Sequence, residues 1–361
     1  MRIVSLQYIH NDYNEPLQWL DRIDFYTGIF EQMTKQAEVH SFYHTKYCGT
    51  LKKNNVFYHF TGLQGLSLIF PVAFHRQVKK LNPEVIFIQG FHHPFQALLL
   101  SLTLGSKIKI FIHHHAERPL RFHKKYLQQF LDKFIIGYFF TSVELAKPWI
   151  DKGQIASESK VTEVMECSSI YHPMDRELAK QKVNVNGEKN YLWVGRLEPN
   201  KDPITLVNAF IKFLTTQPQA HLYVIYQQDD LLREVSSLAE NYPNIFLIGK
   251  QDKEQLQHWY NSADFIISTS HYEGSGIAVC EAMSCGCVPI LTSIPSFRWM
   301  TDGGTCGLLF EKGNVESLLQ ALMKSKQINL AEERNKTIKV FQNSLSFKAI
   351  AEGMLKSFSN G

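Results

Sequence analysis

The stretch HYEGSGIAVCEAMSCGCVPI, His271–Ile290, decides the fold. It follows a short apolar run, DFIISTS (Asp264–Ser270), with the length and boundaries of a buried parallel strand. The next loop carries Gly274, Ser275 and Gly276, and the chain from about Gly276 to Cys285 reads as a short helix ended by Gly286. Strand, tight loop and helix in that order turn free N–H groups and the positive end of the helix dipole toward the loop, which favours an anion there. Glu273 lies in the loop and Glu281 on the helix, separated by roughly 7–8 Å of helix rise plus the loop. An extended ligand with a central phosphate and hydroxyls at both ends suits that spacing.

Outward from this stretch, the 361 residues exceed one ordinary core and imply two domains of about 150–200 residues. A content of 44% hydrophobic and 20% charged residues is that of a globular chain without a disordered tail. No apolar run approaches the ~20 residues needed to span a bilayer, and the start, MRIVSLQYIHND, reads as a first strand and lacks the apolar centre of a signal peptide. The expectation is a cytoplasmic protein, at most peripheral to the inner face of the membrane. The six cysteines form no C-x-x-C pair and no zinc spacing, so reduced core thiols are expected. Residues 1–183 carry 22 Lys/Arg against 16 Asp/Glu, and the rest 16 against 18. The basic first part is compatible with an anionic acceptor or membrane surface, or with an ordinary solvated face.

In that first part MRIVSL, QAEVHSFYH, PEVIFIQ, KIKIFIHHH, FIIGYFFTS and KVTEVME read as strands alternating with helical segments, the pattern of a doubly wound parallel sheet. His92 and His93 follow one strand, and His113, His114 and His115 end the next. Neighbouring residues on a strand alternate faces, so the triplet cannot converge on one ligand, and no metal site is assigned. A histidine lining a sugar pocket, as hydrogen-bond partner or proton carrier, and purely structural hydrogen bonding are the readings beside a metal ligand, and spacing alone does not choose among them. In RFHKKYLQQFLDKF (Arg121–Phe134) the residues Phe122, Tyr126, Leu127, Phe130, Leu131 and Phe134 share one helical face, with Arg121, Lys124 and Lys125 off it. The face is expected to pack on the core; a membrane-surface helix is the alternative.

The polar stretch Val183–Asn190 reads as an interdomain linker. It divides the chain into residues 1–183 and 184–340, with a C-terminal helix, 341–361, reaching back to the first domain. After it come the strand YLWVG, the loop RLEPNKDP and a helix. Arg196 leaves the strand end and Lys201 precedes the helix, a fork and a point charge placed to neutralise a diphosphate.

With Arg196, Lys201, Glu273 and Glu281 in place, the chain resembles the retaining glycosyltransferases of family 4, which have the GT-B architecture. VGRLEPNKDP and HYEGSGIAVCEAMSCGCVPILTS carry the resemblance, supported by SADFIISTS and GTCGLLF, from Tyr191 to about Leu322. The resemblance implies two Rossmann-like α/β domains facing across a cleft, the first (1–183) binding the acceptor and the second (184–340) the donor. It implies a nucleotide-diphosphate-sugar donor whose diphosphate is held by Arg196, Lys201 and the backbone of Ser275, Gly276 and Ile277. By the same resemblance Gly195, Gly249 and Gly274 belong to the donor site, Glu281 binds the ribose and Glu273 the transferred sugar. Among the histidines it favours His115, because Ala116 follows. No metal or other cofactor is expected: the chain has no D-x-D, and positive side chains take that role. The acceptor would be a hydroxyl of a glycan, a lipid-linked sugar or a small molecule, in polysaccharide biosynthesis; no nucleic acid is implied. The loop after the first strand, QYIHNDYNEP, lacks the glycines that members of the family often carry there. A catalytically inactive sugar-binding GT-B subunit and a nucleotide-sugar epimerase are the rival readings, while the Gly274-Ser275-Gly276 fragment falls short of the G-x-G-x-x-G of a dehydrogenase.

Overall fold

The computed structural model describes residues 1–360. They form two compact units: Met1–Ser168 together with the chain from Phe347 onward, and Ser169–Ser346. In the first, β1 (Arg2–Asn11), β2 (Glu38–Thr45), β3 (Gly49–Lys53), β4 (Val56–Thr61), β5 (Val85–Gln89), β6 (Lys109–His113), β7 (Gly137–Phe140) and β8 (Val161–Glu163) make one sheet in the order β3-β4-β2-β1-β5-β6-β7-β8. The order reverses direction between β1 and β5. Ile3, Val4 and Leu6 of β1 are fully buried on both faces, as a central parallel strand requires.

Two features depart from the expectation of a wholly parallel sheet with a core-packed basic helix. Strand β3 pairs antiparallel with β4 across Asn54 and Asn55, whose φ angles of 49° and 65° make a two-residue hairpin turn at the sheet edge. Helix Phe122–Leu131 turns Phe122 (84% exposed), Tyr126 (67%) and Phe130 (47%) to solvent, and only Leu131 of its aromatic-rich face is fully buried. A polar network takes the space beneath: Gln128 Nε2 donates to Tyr138 Oη at 3.2 Å and to the Gln154 carbonyl at 3.3 Å. Five of the six cysteines are buried, but Cys48 is exposed and is no core thiol.

The second unit contains β9 (Lys189–Gly195), β10 (Ala220–Tyr226), β11 (Ile245–Leu247), β12 (Phe265–Ser268), β13 (Val288–Thr292) and β14 (Leu308–Phe310), in the order β11-β10-β9-β12-β13-β14 and parallel throughout. Numbered within the unit this is 3-2-1-4-5-6, the doubly wound dinucleotide order. Phe210 and Phe213 of helix Pro203–Leu214 are fully buried against Tyr191 of β9, each contributing roughly 1.5–3 kcal/mol. That burial fixes the start of the helix at the end of β9.

The unit boundary lies at Ser168/Ser169, not at 183/184. Helix Arg176–Val183 packs on helix Lys253–Ser262, Arg176 pairs with Asp264, and Met174 N donates to Asn261 Oδ1 at 2.8 Å, so residues 169–183 belong to the second unit. The polar stretch after Val183 is therefore a turn, with Asn184 in the left-handed region at φ 54°. At the other end the returning helix begins at Phe347, not 341. Leu330–Val340 is a separate helix of the second unit, and Phe347–Asn360 packs on the first, where Phe358 meets Phe87, Phe111 and Phe139.

Candidate active site

In an open parallel sheet the ligand crevice lies beyond the carboxyl ends of the strands where their order reverses. In the second unit those strands are β9 and β12, and the loops leaving them are RLEPNKD and the one that opens HYEGSG. The two loops are bonded to each other. His271 N donates to the Asn200 carbonyl at 2.8 Å, Asn200 Nδ2 to the Tyr272 carbonyl at 3.0 Å, and Thr269 Oγ1 to the Lys201 carbonyl at 2.6 Å. Asp202 holds the next position. Its side chain caps helix Pro203–Leu214 by accepting from Thr205 N at 3.1 Å and also meets His271 Nε2 at 2.9 Å. With Pro203 at the first helical position, this is a strong helix start.

The stitching brings Lys201 and Glu273 into direct contact as an ion pair, both largely buried. Arg196, about half exposed, pairs with Glu198 at 2.8 Å. Both cations expected at a diphosphate therefore already have carboxylate partners, and an incoming diphosphate must share or displace them. Lys201, Glu273, Gly276 and Ile277 line one small pocket of ≈ 30 Å³ with Trp193 and Phe297, about the room of a single water. Gly276 sits at φ 62°, and a Cβ on it would come within 2.5 Å of Phe297 Cε1, so only glycine fits. Helix Ile277–Ser284 has no side-chain cap, which leaves its first N–H groups for a ligand; Ser275, just before, is buried.

Glu281 does not line that pocket. It lies on the same helix and accepts a 2.7 Å bond from Tyr260 Oη. Burial, with Glu281 beside it, pushes the Tyr260 phenol well up, so it stays a donor. Gly195 ends β9 where a Cβ would press on the Trp193 ring at 2.9 Å, and Gly249 adopts φ 79° just past β11, with Gly274 buried in the loop after β12.

In the first unit the three consecutive histidines separate. His113 is buried, and burial holds its pKa down to about 3. His114 is buried with Nε2 2.8 Å from the Glu117 carbonyl. His115 alone of the three lines a pocket of ≈ 200 Å³. Its Nδ1 stands 3.0 Å from Glu166 Oε1. Burial pulls the imidazole pKa down, but the Glu166 charge and hydrogen bond, with Glu117 nearby, raise it above the usual value, while His115 brings Glu166 down to about 2 against the effect of burial. Among the described residues no group of three His, Cys, Asp or Glu side chains could hold a metal ion, and no helix is long and apolar enough to cross a membrane.

Sequence reasoning missed Glu198, Asp202, His271 and Glu166. Asp202 before Pro203 carried a readable capping signal. The partners of His115 and Arg196 had none, since a side-chain pairing leaves no periodic trace.

Residues 175–342 match the family model described as glycosyl transferases, group 1. Over its full length the chain superposes on a glycosyltransferase from Rickettsia africae (TM-score 0.75, 16% identity, 99% of this chain and 98% of that one) and on HepE from Anabaena in complex with UDP and glucose (0.72, 13%, 100% of both). The fold is GT-B. Among curated proteins it is similar to the poly(glycerol-phosphate) alpha-glucosyltransferase of Bacillus subtilis, 31% identical over 157 residues, and to O-antigen chain mannosyltransferase B of Escherichia coli, 25% identical over 242. The first match covers 42% of this chain and 23% of that protein, the second 63% and 61%, so the chain spans less than two thirds of either relative.

Proposed function

We propose that this GT-B chain is a retaining, metal-independent glycosyltransferase that moves a sugar from a nucleotide-diphosphate-sugar to a hydroxyl of a glycan or lipid-linked acceptor. The observation that carries the reading is the cluster of Lys201, Glu273 and the uncapped start of helix Ile277–Ser284 at the strand switch of the dinucleotide-type sheet. Arg196, Lys201 and the N–H groups of Ile277 and its neighbours would take up the negative charge that grows on the diphosphate as the glycosidic bond breaks. Glu273, released from Lys201 as the diphosphate arrives, would accept from sugar hydroxyls, and Glu281, oriented by Tyr260, from the ribose. The acceptor hydroxyl attacks on the face the diphosphate leaves, its proton passes to a diphosphate oxygen, and the anomeric configuration is retained. Within the first unit, His115 would hydrogen-bond a sugar hydroxyl. The exposed aromatics of helix Phe122–Leu131, with Arg121, Lys124 and Lys125, would rest on an anionic membrane surface of the compartment where the acceptor is made.

Turnover of UDP- and GDP-sugars with isolated acceptor glycans, with product anomers assigned by NMR, tests the reading. Lys201→Ala and Glu273→Ala should each lower turnover by about 10²–10³, and chelators should leave it unchanged. Donor consumption that is absent in the wild type, or unchanged from the wild type in both variants, refutes the enzyme. Conversion of the donor sugar without acceptor would replace it with an epimerase.

A further inference from the structure

The loop that leaves β9 carries a carboxylate beside the cation that a diphosphate would need. Arg196 follows the strand and Glu198 stands just beyond it, with Oε1 2.8 Å from Arg196 Nη2. The backbone that bears Glu198 is braced on both sides. Leu197 is fully buried, its N–H donates to the Gln228 carbonyl at 3.0 Å, and its carbonyl accepts from Leu231 N at 2.9 Å. Glu198 N donates to the Arg196 carbonyl at 2.8 Å, and the Glu198 carbonyl accepts from Lys201 N at 3.0 Å. Pro199 comes next and restricts the backbone of Glu198 itself.

The two partners differ in freedom. The Glu198 side chain is 19% exposed above that braced backbone, whereas the longer Arg196 side chain is 46% exposed. The guanidinium can swing between Glu198 and a ligand while the carboxylate stays in place. With Arg196 on Glu198 and Lys201 on Glu273, these four side chains present no uncompensated cation. A diphosphate gains each cation only by exchanging it from a carboxylate, and the exchange runs backward as the diphosphate leaves.

The chemistry of sugar transfer makes the backward step the harder one. In the donor the diphosphate is esterified at both ends. Cleavage of the anomeric C–O bond leaves the electron pair on the terminal phosphate. Once the acceptor's proton has passed on to water, that further ionisable oxygen makes the product more negative than the donor near neutral pH. The same Arg, Lys and helix start that stabilise the developing charge then hold the product harder than the donor, the condition under which release limits turnover. Resting on the glycosyltransferase reading, we propose that Glu198 hastens release of the nucleoside diphosphate by competing with it for Arg196. Glu198 is thus a positioning residue that acts only through the guanidinium. A carboxylate that instead aimed Arg196 at the ligand, with both bound at once, would have the opposite sign: its removal would weaken product binding.

Isothermal titration calorimetry of the full chain with UDP, GDP, ADP and dTDP, each beside its nucleoside, tests this. At least one diphosphate should bind the wild type. Glu198→Gln, which keeps the bulk and removes the charge, should bind it about fivefold tighter, the worth of one partly exposed ion pair. Stopped-flow displacement should place the gain in slower dissociation. The matching nucleoside, which has no phosphate, should bind both proteins equally, and adding Arg196→Gln to Glu198→Gln should abolish the gain. Glu198→Asp keeps the charge but draws the carboxylate back from Arg196; it should shift affinity the same way by less, and it carries the test if the glutamine variant does not fold. In turnover assays Glu198→Gln should lower the inhibition constant of the product more than the KM of the donor, a split that a structural role would not produce. Unchanged or weaker diphosphate binding in folded Glu198→Gln, or a gain that survives the loss of Arg196, overturns the inference and leaves the transferase reading standing. No binding of any diphosphate by the wild type sinks that reading, and this inference falls with it.

Discussion

His115 and Glu166 show how a pair of residues can tie stability to pH. Glu166 is held down to about 2 in the folded chain, below the ~4.3 of a free glutamate, so its stabilisation is complete above about pH 4.3 and is lost as the pH falls toward 2. His115 is raised above the ~6.5 of a free imidazole, so its stabilisation is complete below about pH 6.5 and is lost as the pH rises through the folded value. The groups that face it are Glu166, Glu117 and the neighbouring His113 and His114, which burial keeps low. The difference in melting temperature between wild type and Glu166→Gln should therefore peak between about pH 4.5 and 6.5 and shrink on either side. A difference flat from acid to alkaline pH would mean that the pair is not ionised. At this scale the sequence disclosed motif members and hid their partners. Lys201 and Glu273 stand in recognisable local patterns, whereas Glu166 reaches His115 only because β8 runs in the same sheet as β6, two strands away.

At the scale of elements, hydrophobic runs located the parallel strands because a strand buried on both faces has a nearly continuous apolar sequence. The edge hairpin of β3 and β4 escaped, although Asn54-Asn55 between alternating residues was its signal. Helix Phe122–Leu131 shows a different limit: periodicity finds an apolar face but does not say that the face is turned inward. Gln128 claimed the inner side by bonding to Tyr138 and Gln154, and the aromatics were left outside beneath Lys125 and Lys133, whose ammonium groups lie 5.9 and 5.4 Å from the Tyr126 and Phe130 rings. Aromatics ringed by lysine are suited to the interface of an anionic bilayer, where each cation near the surface adds about 1 kcal/mol. The chain should co-sediment with phosphatidylcholine vesicles containing phosphatidylglycerol and not with phosphatidylcholine alone. Replacing Phe122, Tyr126 and Phe130 together by Ser should cut that binding by about tenfold or more while leaving nucleotide-sugar binding intact. Equal sedimentation of wild type and triple variant would remove the membrane from the proposed function.

The whole molecule is discontinuous in sequence: the first unit is closed by a helix made after the second unit is complete. Apolar patterning showed that the C-terminal segment is helical, but the exact return point, Phe347, depends on packing. There the Phe347 ring lies against Gly28, where a Cβ would approach it to 2.7 Å, so the helix can seat only over a residue without a side chain. Farther along, Phe358 is 1% exposed among Phe87, Phe111 and Phe139 of three adjacent strands, and its carbonyl accepts from Lys109 Nζ at 3.0 Å. Phe358→Ala removes a ring that the sheet cannot replace, and a cost of about 3–5 kcal/mol is expected. Because the cavity opens inside the first unit, hydrogen exchange should accelerate in peptides of β5, β6 and β7, while those of β9 and β12 keep their protection. Loss of protection spread evenly over both sheets would show instead that the two units unfold as one. In that case the C-terminal helix stabilises the second unit as well as the first.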